Sequence, residues 1–266
     1  MMKKFIIVLL TISMLVTFGG CTSKQKGEDS KVEEIKKAGK VVVGTAADYP
    51  PFEFHKEING KDEIVGFDIE VAKAIAEDLG VELEIIDMKF EGLLPALVTN
   101  DIDFIVAGMS ADEERAKSVD FSTSYYEGVQ RLVIRKDDSD KLKNPEDFKG
   151  FKIGAQKSTE QEDVAENQFT EAEKIYLANI TDLVLEVKNK KIDGLILAEP
   201  VAEAYVKRNS DLFLADIVLE KEDGYAVAVN KGTADLLGFI NKTLDRLIKE
   251  DQIDKLIQEA TQLSEQ

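Results

Sequence analysis

The sequence predicts an α/β fold. Short apolar runs that suit buried strands, as in residues 40–44 and 102–107, alternate with longer segments whose apolar residues recur at helical spacing, as in residues 67–79. Twice, the end of a predicted strand leads into a Ser-x-x-Glu or Ser-x-x-Gln sequence, which is the pattern of a helix start. Alternating strands and helices are typical of α/β proteins, in which ligands bind at the loops that follow strand ends.

Composition excludes several classes of protein. The chain has 266 residues, 44% of them hydrophobic, which is enough for one or two domains with a sizeable core. The formal net charge of −18 argues against a basic face, so we expect no nucleic acid partner. A single cysteine rules out an intrachain disulfide, and the single histidine, His55, is expected to be solvated. Without a phosphate loop, a metal-ligand cluster or a nucleophile elbow, we predict no metal, no cofactor and no catalytic residue.

The first residues predict a targeting segment. Two lysines precede an apolar run over residues 5–18, which is too short to span a membrane, and two glycines then lead to Cys21. This order resembles a bacterial lipoprotein signal, which implies removal of residues 1–20 and lipidation of Cys21, although Phe18 stands where the pattern usually has leucine. The alternative is an ordinary secretory signal with an incidental cysteine. The polar residues 21–30 are predicted to form a flexible tether.

The first part of the mature chain predicts repeated strand–helix steps. A short helix over residues 30–39 precedes the strand at 40–44, and an amphipathic helix follows over residues 67–79. A strand at 83–86 then leads to a helix that opens at Phe90. The loop after the first strand contains two adjacent prolines, which favour an extended backbone.

The most informative stretch is residues 107–128. It follows the strand at 102–107 and contains Ser110 with Glu113 three residues later, a capping box that predicts a helix beginning at this point. Arg115 follows within about one turn. Backbone N–H groups at a helix start, together with the guanidinium of an arginine, suit a free carboxylate. On the local pattern alone, an ordinary capped surface helix with a solvated arginine is the alternative.

The stretch as a whole resembles a known family signature. It reads Gly108-Met109-Ser110, then Glu114-Arg115, then Val-Asp-Phe-Ser at residues 119–122, then Tyr125-Tyr126. This order resembles the core signature of the polar amino-acid-binding proteins of ABC importers, the family 3 solute-binding proteins. The resemblance extends from residue 41 to the C-terminus. It implies a type II periplasmic-binding-protein-like fold, in which two lobes joined by two hinge strands enclose a ligand cleft.

The resemblance assigns roles to the signature residues. In the family, the position of Arg115 holds the α-carboxylate of the ligand, and the position of Ser110 adds to carboxylate binding. The backbone at the position of Gly108 meets the α-ammonium group. Met109 belongs to the same signature and is included in the predicted site.

The resemblance also implies aromatic walls and a contact from the second lobe. Tyr49, in the loop with the two prolines, and Phe90 are implied to lie on either side of the ligand side chain. Ser158 and Gln161 form another capping box after a predicted strand, so a helix is expected to start there. In the family, the turn that matches Ser158 and Thr159 closes over the ligand carboxylate.

Two crossings divide the predicted fold into lobes. The resemblance makes strand 130–135 the first hinge strand and strand 224–230 the second. This places residues 31–131 plus 225–266 in the first lobe and residues 136–220 in the second. Further predicted elements are strands at 151–155 and 192–197 and helices at 181–190, 201–207, 234–249 and 251–262.

The sequence departs from the family at two positions. After the strand at 192–197 the family usually has an aspartate that binds the α-ammonium group, and here that residue is Ala198. Glu199 is included in the predicted site because it could reach the same space, but adjacent residues at a turn point in different directions, so this substitution stays open. The second departure is Ala46, where many members that bind basic or amide side chains have aspartate.

We therefore predict a binding protein, not an enzyme, that closes on a free polar amino acid and delivers it to the permease of an ABC importer. It is expected to be a monomer outside the cytoplasm, anchored to the membrane through a lipid on Cys21. Acidic surroundings favour arginine or lysine over glutamate, and the sequence does not name the amino acid.

The sequence bears on two other functions. A cyclohexadienyl or arogenate dehydratase-like enzyme on the same fold needs a carboxylic acid in the cleft, and Glu53, Glu160 and Glu199 are available. A receptor sensor domain is disfavoured, because no transmembrane helix follows the predicted domain.

Overall fold

The computed structural model describes residues 30–217, 219, 221 and 223–265. The predicted signal peptide, Cys21 and nearly all of the predicted tether lie outside these residues. Among the helices of the described ranges, none has the length and apolar character needed to cross a membrane.

The described part of the chain alternates strands and helices, as predicted. The helices are α1 Lys31–Ala38, α2 Phe67–Leu79, α3 Phe90–Val98, α4 Glu160–Gln168, α5 Ile180–Lys188, α6 Glu199–Arg208, α7 Ala234–Lys249 and α8 Gln252–Ser264. The strands are β1 Lys40–Thr45, β2 Asp48–Tyr49, β3 Glu53–Ile58, β4 Lys61–Val65, β5 Glu82–Asp87, β6 Phe104–Ile105, β7 Val119–Phe121, β8 Gln130–Arg135, β9 Lys152–Gln156, β10 Glu173–Leu177, β11 Gly194–Ala198, β12 Leu212–Leu214 and β13 Ala228–Asn230.

Two five-stranded sheets form the centres of two lobes. The first has the order β5-β1-β6-β13-β7, with β1 parallel to β5 and β6 and with β13 antiparallel to its neighbours. The second has the order β10-β9-β11-β8-β12, with β9 parallel to β10 and β11 and with β8 antiparallel to its neighbours. The loops after β1, β6 and β9 carry most of the predicted site residues, and such loops are where α/β sheets bind ligands.

The connections between the lobes run side by side. Isolated antiparallel bridges join Tyr225 to Tyr126 and to Ser110. Strand β8, predicted as the first hinge strand, pairs entirely within the second sheet, so the predicted boundary at residue 131 falls inside a strand. The predicted second hinge strand at 224–230 is a regular strand only in its last three residues, which form β13. The lobe boundaries themselves stay a prediction.

Helix α2 shows how the sequence builds the first lobe. Its apolar residues recur at helical spacing and are almost fully buried, as predicted for this segment. The chain enters the helix through Gly66, whose φ is 131°, and a Cβ there would lie 2.2 Å from the carbonyl oxygen of Phe52. Only glycine fits such a position. This tight entry places Asp68, in the first turn of α2, entirely inside the protein.

The prediction of a helix beginning at Ser110 is wrong. The backbone of Ser110 forms an antiparallel bridge with Tyr225, and Ala111 N donates to Gly224 O at 3.2 Å. Both partners belong to the segment that returns the chain to the first lobe. The Ser110 hydroxyl donates across the cleft to Glu160 instead of accepting from a nearby N–H group. Long-range contacts therefore use the groups that a capping box needs, and the only helical turn in this stretch of the described chain is a 3-10 turn at Arg115–Lys117.

The second capping box is also wrong in detail. A helix does follow the strand, but α4 begins at Glu160 with Thr159 in the N-cap position. Ser158 has a left-handed backbone, with φ of 63°, so it belongs to the turn before the helix. The Thr159 hydroxyl donates to the carbonyl oxygen of Gln156 at 2.7 Å, which ties the turn to the end of β9.

Candidate functional site

A narrow inner pocket lies between the lobes. Most of the predicted site residues line it, and these are Tyr49, Phe90, Gly108, Ser110, Arg115 and Thr159. The pocket is also lined by seven residues outside the predicted binding site, and these are Ala46, Asp48, Glu53, Ala107, Gln156, Glu160 and Gln161. The pocket opens beside a wider outer cleft, and the two share Ala46, Asp48, Phe90 and Gln156.

Arg115 is held in a single orientation. Its Nε lies 3.1 Å from Asp112 Oδ2, and its Nη1 donates to Ser110 O at 2.7 Å. Its Nη2 donates to Ser158 O in the second lobe at 2.9 Å, and the guanidinium lies 5.5 Å from the centre of the Phe90 ring. Each terminal nitrogen of the guanidinium carries two N–H groups, and the contacts above use one N–H group on each nitrogen. The remaining two N–H groups can both donate to one ligand carboxylate.

Three predicted residues do not line the inner pocket. The side chain of Met109 is buried in the core of the first lobe, and only its carbonyl takes part in the site region, by accepting from Ala226 N at 3.0 Å. Ser158 contributes its carbonyl to Arg115 rather than its hydroxyl to the pocket.

Glu199 is the third, and the expectation that it replaces the missing aspartate does not agree with its placement. It is the first residue of α6, and Ala198 before it is the last residue of β11, so the two side chains diverge at the turn. The Glu199 carboxylate is substantially exposed and lies 3.6 Å from the guanidinium of Arg131. It is therefore engaged outside the inner pocket.

Glu160 is an acidic group that does line the inner pocket. Its carboxylate accepts from the Ser110 hydroxyl at 2.8 Å and from Asp223 N at 3.0 Å. Glu160 therefore joins the second lobe both to the first lobe and to the segment around Asp223 that returns the chain to the first lobe. Burial raises the pKa of this carboxyl although both hydrogen bonds favour the charged form. The sequence signal for Glu160 was its place directly after the Ser158-Thr159 turn.

Tyr49 packs tightly against the backbone of the signature loop. The hydroxyls of Tyr49 and Tyr225 lie 3.0 Å apart, and the Tyr49 ring stacks on Phe52 with centroids 5.6 Å apart. Gly108 has φ of 50°, and a Cβ there would lie 2.9 Å from the Tyr49 ring. Glycine is needed at this position because both the backbone conformation and the close approach of the ring exclude a side chain.

Asp68 holds the loop at Gly108 in place through two hydrogen bonds. Its Oδ2 accepts from Gly108 N at 2.6 Å and from the Tyr125 hydroxyl at 2.9 Å. Complete burial raises the pKa of Asp68 to about 6, although these two hydrogen bonds oppose the shift. This residue was not recognised from the sequence, where it reads as an ordinary acid in the first turn of a helix.

Asp48 also lines the inner pocket and connects the two lobes. Its Oδ2 accepts from Ile180 N at 2.7 Å, and its backbone carbonyl accepts from the Tyr205 hydroxyl at 2.9 Å. Both donors belong to the second lobe. Burial raises the pKa of Asp48 to about 6. The structure is thus a closed one, in which the lobes touch through Asp48, Ser110 and Arg115.

The outer cleft holds His55, which is not simply solvated. Its Nδ1 lies 2.8 Å from Asp62 and its Nε2 lies 3.2 Å from Asp87. Partial burial works against the charged ring, but hydrogen bonds to the two aspartates raise the His55 pKa. Within the described ranges, no cluster of three or more His, Cys, Asp or Glu residues has the arrangement of a metal site.

The sequence model for the bacterial extracellular solute-binding proteins of family 3 matches residues 41–261. The arginine-binding extracellular protein ArtP of Bacillus subtilis is 36% identical over 259 residues, which is 96% of each chain. An amino acid ABC transporter substrate-binding protein, AbpA, from Streptococcus pneumoniae, solved with L-arginine bound, aligns with a TM-score of 0.85 and 39% identity over 88% of this chain and 99% of that one.

A further similar structure bears on the enzyme alternative. The ancestral amino acid-binding protein AncCDT-1, described as a precursor of cyclohexadienyl dehydratase, aligns with a TM-score of 0.81 and 33% identity over 87% of this chain and 100% of that one. It is described as a binding protein that preceded the enzyme.

Proposed function

This chain belongs to the bacterial extracellular solute-binding proteins of family 3, and we propose that the amino acid it captures is arginine or a similar cationic amino acid. As a family member it is the extracytoplasmic amino-acid-binding component of an ABC importer rather than an enzyme. The arginine-binding relatives support this choice of ligand, as do the charges of the pocket.

The charge pattern of the inner pocket is the observation that carries the proposal. A cationic amino acid has one carboxylate and two positive groups. The pocket has one cation, Arg115, and three acidic residues, Asp48, Glu53 and Glu160. Tyr49 and Phe90 add aromatic faces that suit a flat guanidinium. An anionic side chain such as that of glutamate would add a negative charge beside these acids when the single cation already holds the α-carboxylate, and a neutral side chain would form no charge pair with them.

Closure follows from contacts that span the cleft. The carboxylate of the ligand lies against Arg115 and Ser110 of the first lobe and against the Thr159 turn of the second. A ligand that touches both lobes binds the closed form better than the open one and shifts the population toward it. Delivery to the permease then depends on recognition of the closed shape.

We assign the α-ammonium group to Glu160. It lines the pocket and belongs to the second lobe, as the missing aspartate at Ala198 would. Glu160→Gln is expected to weaken binding by about 1.5–3 kcal/mol, the worth of a charge-assisted hydrogen bond. The matched change Glu199→Gln should leave affinity within about twofold, because Glu199 is engaged with Arg131. Calorimetry on both variants measures the loss of affinity. A larger loss for Glu199→Gln than for Glu160→Gln would indicate that Glu199 binds the α-ammonium group instead.

A thermal-shift screen against the twenty amino acids tests the ligand class. A ligand stabilises the folded protein by mass action, by about 2.7 kcal/mol at a hundredfold excess over its dissociation constant. Arginine is expected to give the largest rise in melting temperature, with lysine next. A larger rise with glutamate or with an aliphatic amino acid would contradict the proposed ligand.

The lipid anchor is part of the proposal. Cys21→Ala should release the protein from the membrane into the medium, because the basic start, apolar run and glycine pair before Cys21 suit a lipoprotein signal. Fractionation of cells that express each form, followed by immunoblotting, measures this. Equal membrane retention of the variant would rule out an anchor on Cys21, and release of both forms would indicate an ordinary secretory signal. A monomeric state also stays a prediction.

A further inference from the structure

Glu53 is a buried carboxyl group that lies against a second carboxyl group, Asp68. It opens β3, its side chain lines the inner pocket, and only 1% of the residue is exposed. Among the described residues, no N–H or hydroxyl group donates to either of its oxygens, and its side-chain partner is the carboxyl group of Asp68. Two carboxyl groups can share a hydrogen bond only if one of them holds a proton, so this pair beside a pocket needs an explanation.

The groups around Glu53 are acidic. Asp68 from α2, Asp48 from β2 and Asp87 from the end of β5 all disfavour a second negative charge at this point. The cation of the pocket, Arg115, is already paired with Asp112. Asp68 accepts hydrogen bonds from Gly108 N and the Tyr125 hydroxyl, both of which favour its ionised form. Glu53 accepts from no N–H or hydroxyl group, so of these two neighbouring carboxyl groups Glu53 is the one that keeps a proton and donates it to Asp68.

We propose that Glu53 is protonated in the unliganded protein and exchanges its proton for the positively charged side chain of the ligand, so that it selects cationic over neutral amino acids. This inference rests on the proposed ligand class. Burial, followed by the charges of Asp68 and Asp48, raises the pKa of Glu53 well above its usual value, in agreement with this assignment.

The exchange leaves the charge of the buried pocket unchanged. The O–H bond of Glu53 breaks, its electron pair stays on the carboxylate oxygen, and the proton passes to the buffer. A guanidinium N–H then donates to that oxygen. A neutral ligand such as glutamine brings no charge, so Glu53 keeps its proton and its hydrogen bond to Asp68.

The exchange fixes the direction of the pH dependence. Below the pKa of Glu53 in the unliganded protein, arginine must displace a proton, and its affinity rises with pH by up to about tenfold per unit. Above that pKa the proton is already absent and the affinity levels off. Glutamine affinity is independent of Glu53 ionisation across neutral pH.

Titration calorimetry with L-arginine and L-glutamine at pH 7, in phosphate and in Tris, counts the protons released. These buffers differ in ionisation enthalpy, so the difference in observed heat gives the number of protons per ligand. We expect close to one proton released per arginine and none per glutamine. Glu53→Gln should release none with either ligand and should lose the pH dependence. Glu57→Gln, an exposed change on the same strand, should behave as wild type.

The infrared band of a protonated carboxyl group provides a direct reading. It should be present in the unliganded protein, absent from Glu53→Gln, and lost when arginine binds. Arginine binding without proton release, or an unliganded protein without the band, overturns the exchange while the proposed function stands. Binding of neutral amino acids alone, with no response to arginine or lysine, overturns the ligand class and the exchange together.

Discussion

Arg115→Ala is expected to weaken binding of the amino acid by about a hundredfold or more. Truncating one partner of a buried charge pair costs about 2–5 kcal/mol, much of it because the other charge is left unpaired, and each 1.4 kcal/mol is about tenfold in affinity. In this protein the guanidinium is also a bridge to Ser158 in the second lobe, so its loss weakens closure as well as carboxylate binding. Arg115→Lys should recover only part, because an ammonium group cannot form the planar fork.

Calorimetry with a melting curve for each variant measures the effect. Folding should survive, because the Arg115 side chain contacts loops and the cleft rather than the apolar core. Arg131→Ala is the matched control, since this arginine pairs with Glu199 away from the inner pocket. A protein with Arg115→Ala that melts normally and binds within a few-fold of wild type would end this reading of the site.

Asp68→Ala should damage both stability and binding. It leaves two buried donors, Gly108 N and the Tyr125 hydroxyl, without their acceptor, and each stranded group costs about 1–3 kcal/mol. Asp68→Asn should be much milder, because both hydrogen bonds go to one oxygen and an amide oxygen can accept two. The contrast separates the need for an acceptor from the need for a charge.

Urea unfolding at pH 7, with calorimetry on the folded variants, checks this contrast. Glu77→Ala is the control, because it removes an exposed acid from the same helix. If Asp68→Ala were as stable as Asp68→Asn, the hydrogen bonds to Gly108 and Tyr125 would not hold the signature loop in place.

Local patterns predicted the elements whose stability comes from a buried face. Helices α2 and α7 lie at the predicted bounds because both carry a buried apolar stripe: α2 packs on the first sheet, and α7 packs against α1, α2 and α8. A hairpin signal was present and not used: Asn59-Gly60 joins β3 to β4 with φ values of 52° and 77°, the left-handed pair that a tight hairpin turn requires.

The binding site was harder to predict because its side chains form hydrogen bonds with residues that are far away in the sequence. The Ser110 hydroxyl has a local role in the sequence pattern and a distant partner, Glu160, in the structure. Asp68 and Glu160 both look like acids in the first turn of a helix, a common and weak signal. Only tertiary packing, within the first lobe for Asp68 and between the lobes for Glu160, distinguishes them from their exposed neighbours. Arg115 was found through the family resemblance rather than through spacing, and its binding role stays a prediction.

The contact between Tyr205 and Asp48 supplies an optical signal for lobe closure. The Tyr205 hydroxyl donates to the Asp48 carbonyl from the opposite lobe, so this bond exists only while the lobes meet. The chain has six tyrosines and no tryptophan, so tyrosine emission is not hidden by a brighter fluorophore. A hydrogen bond from a phenol hydroxyl to a peptide carbonyl opens a non-radiative path from the excited state without transfer of the proton, and closure is therefore expected to quench Tyr205. Ligand capture becomes visible in the unlabelled protein, and Tyr205→Phe removes the signal.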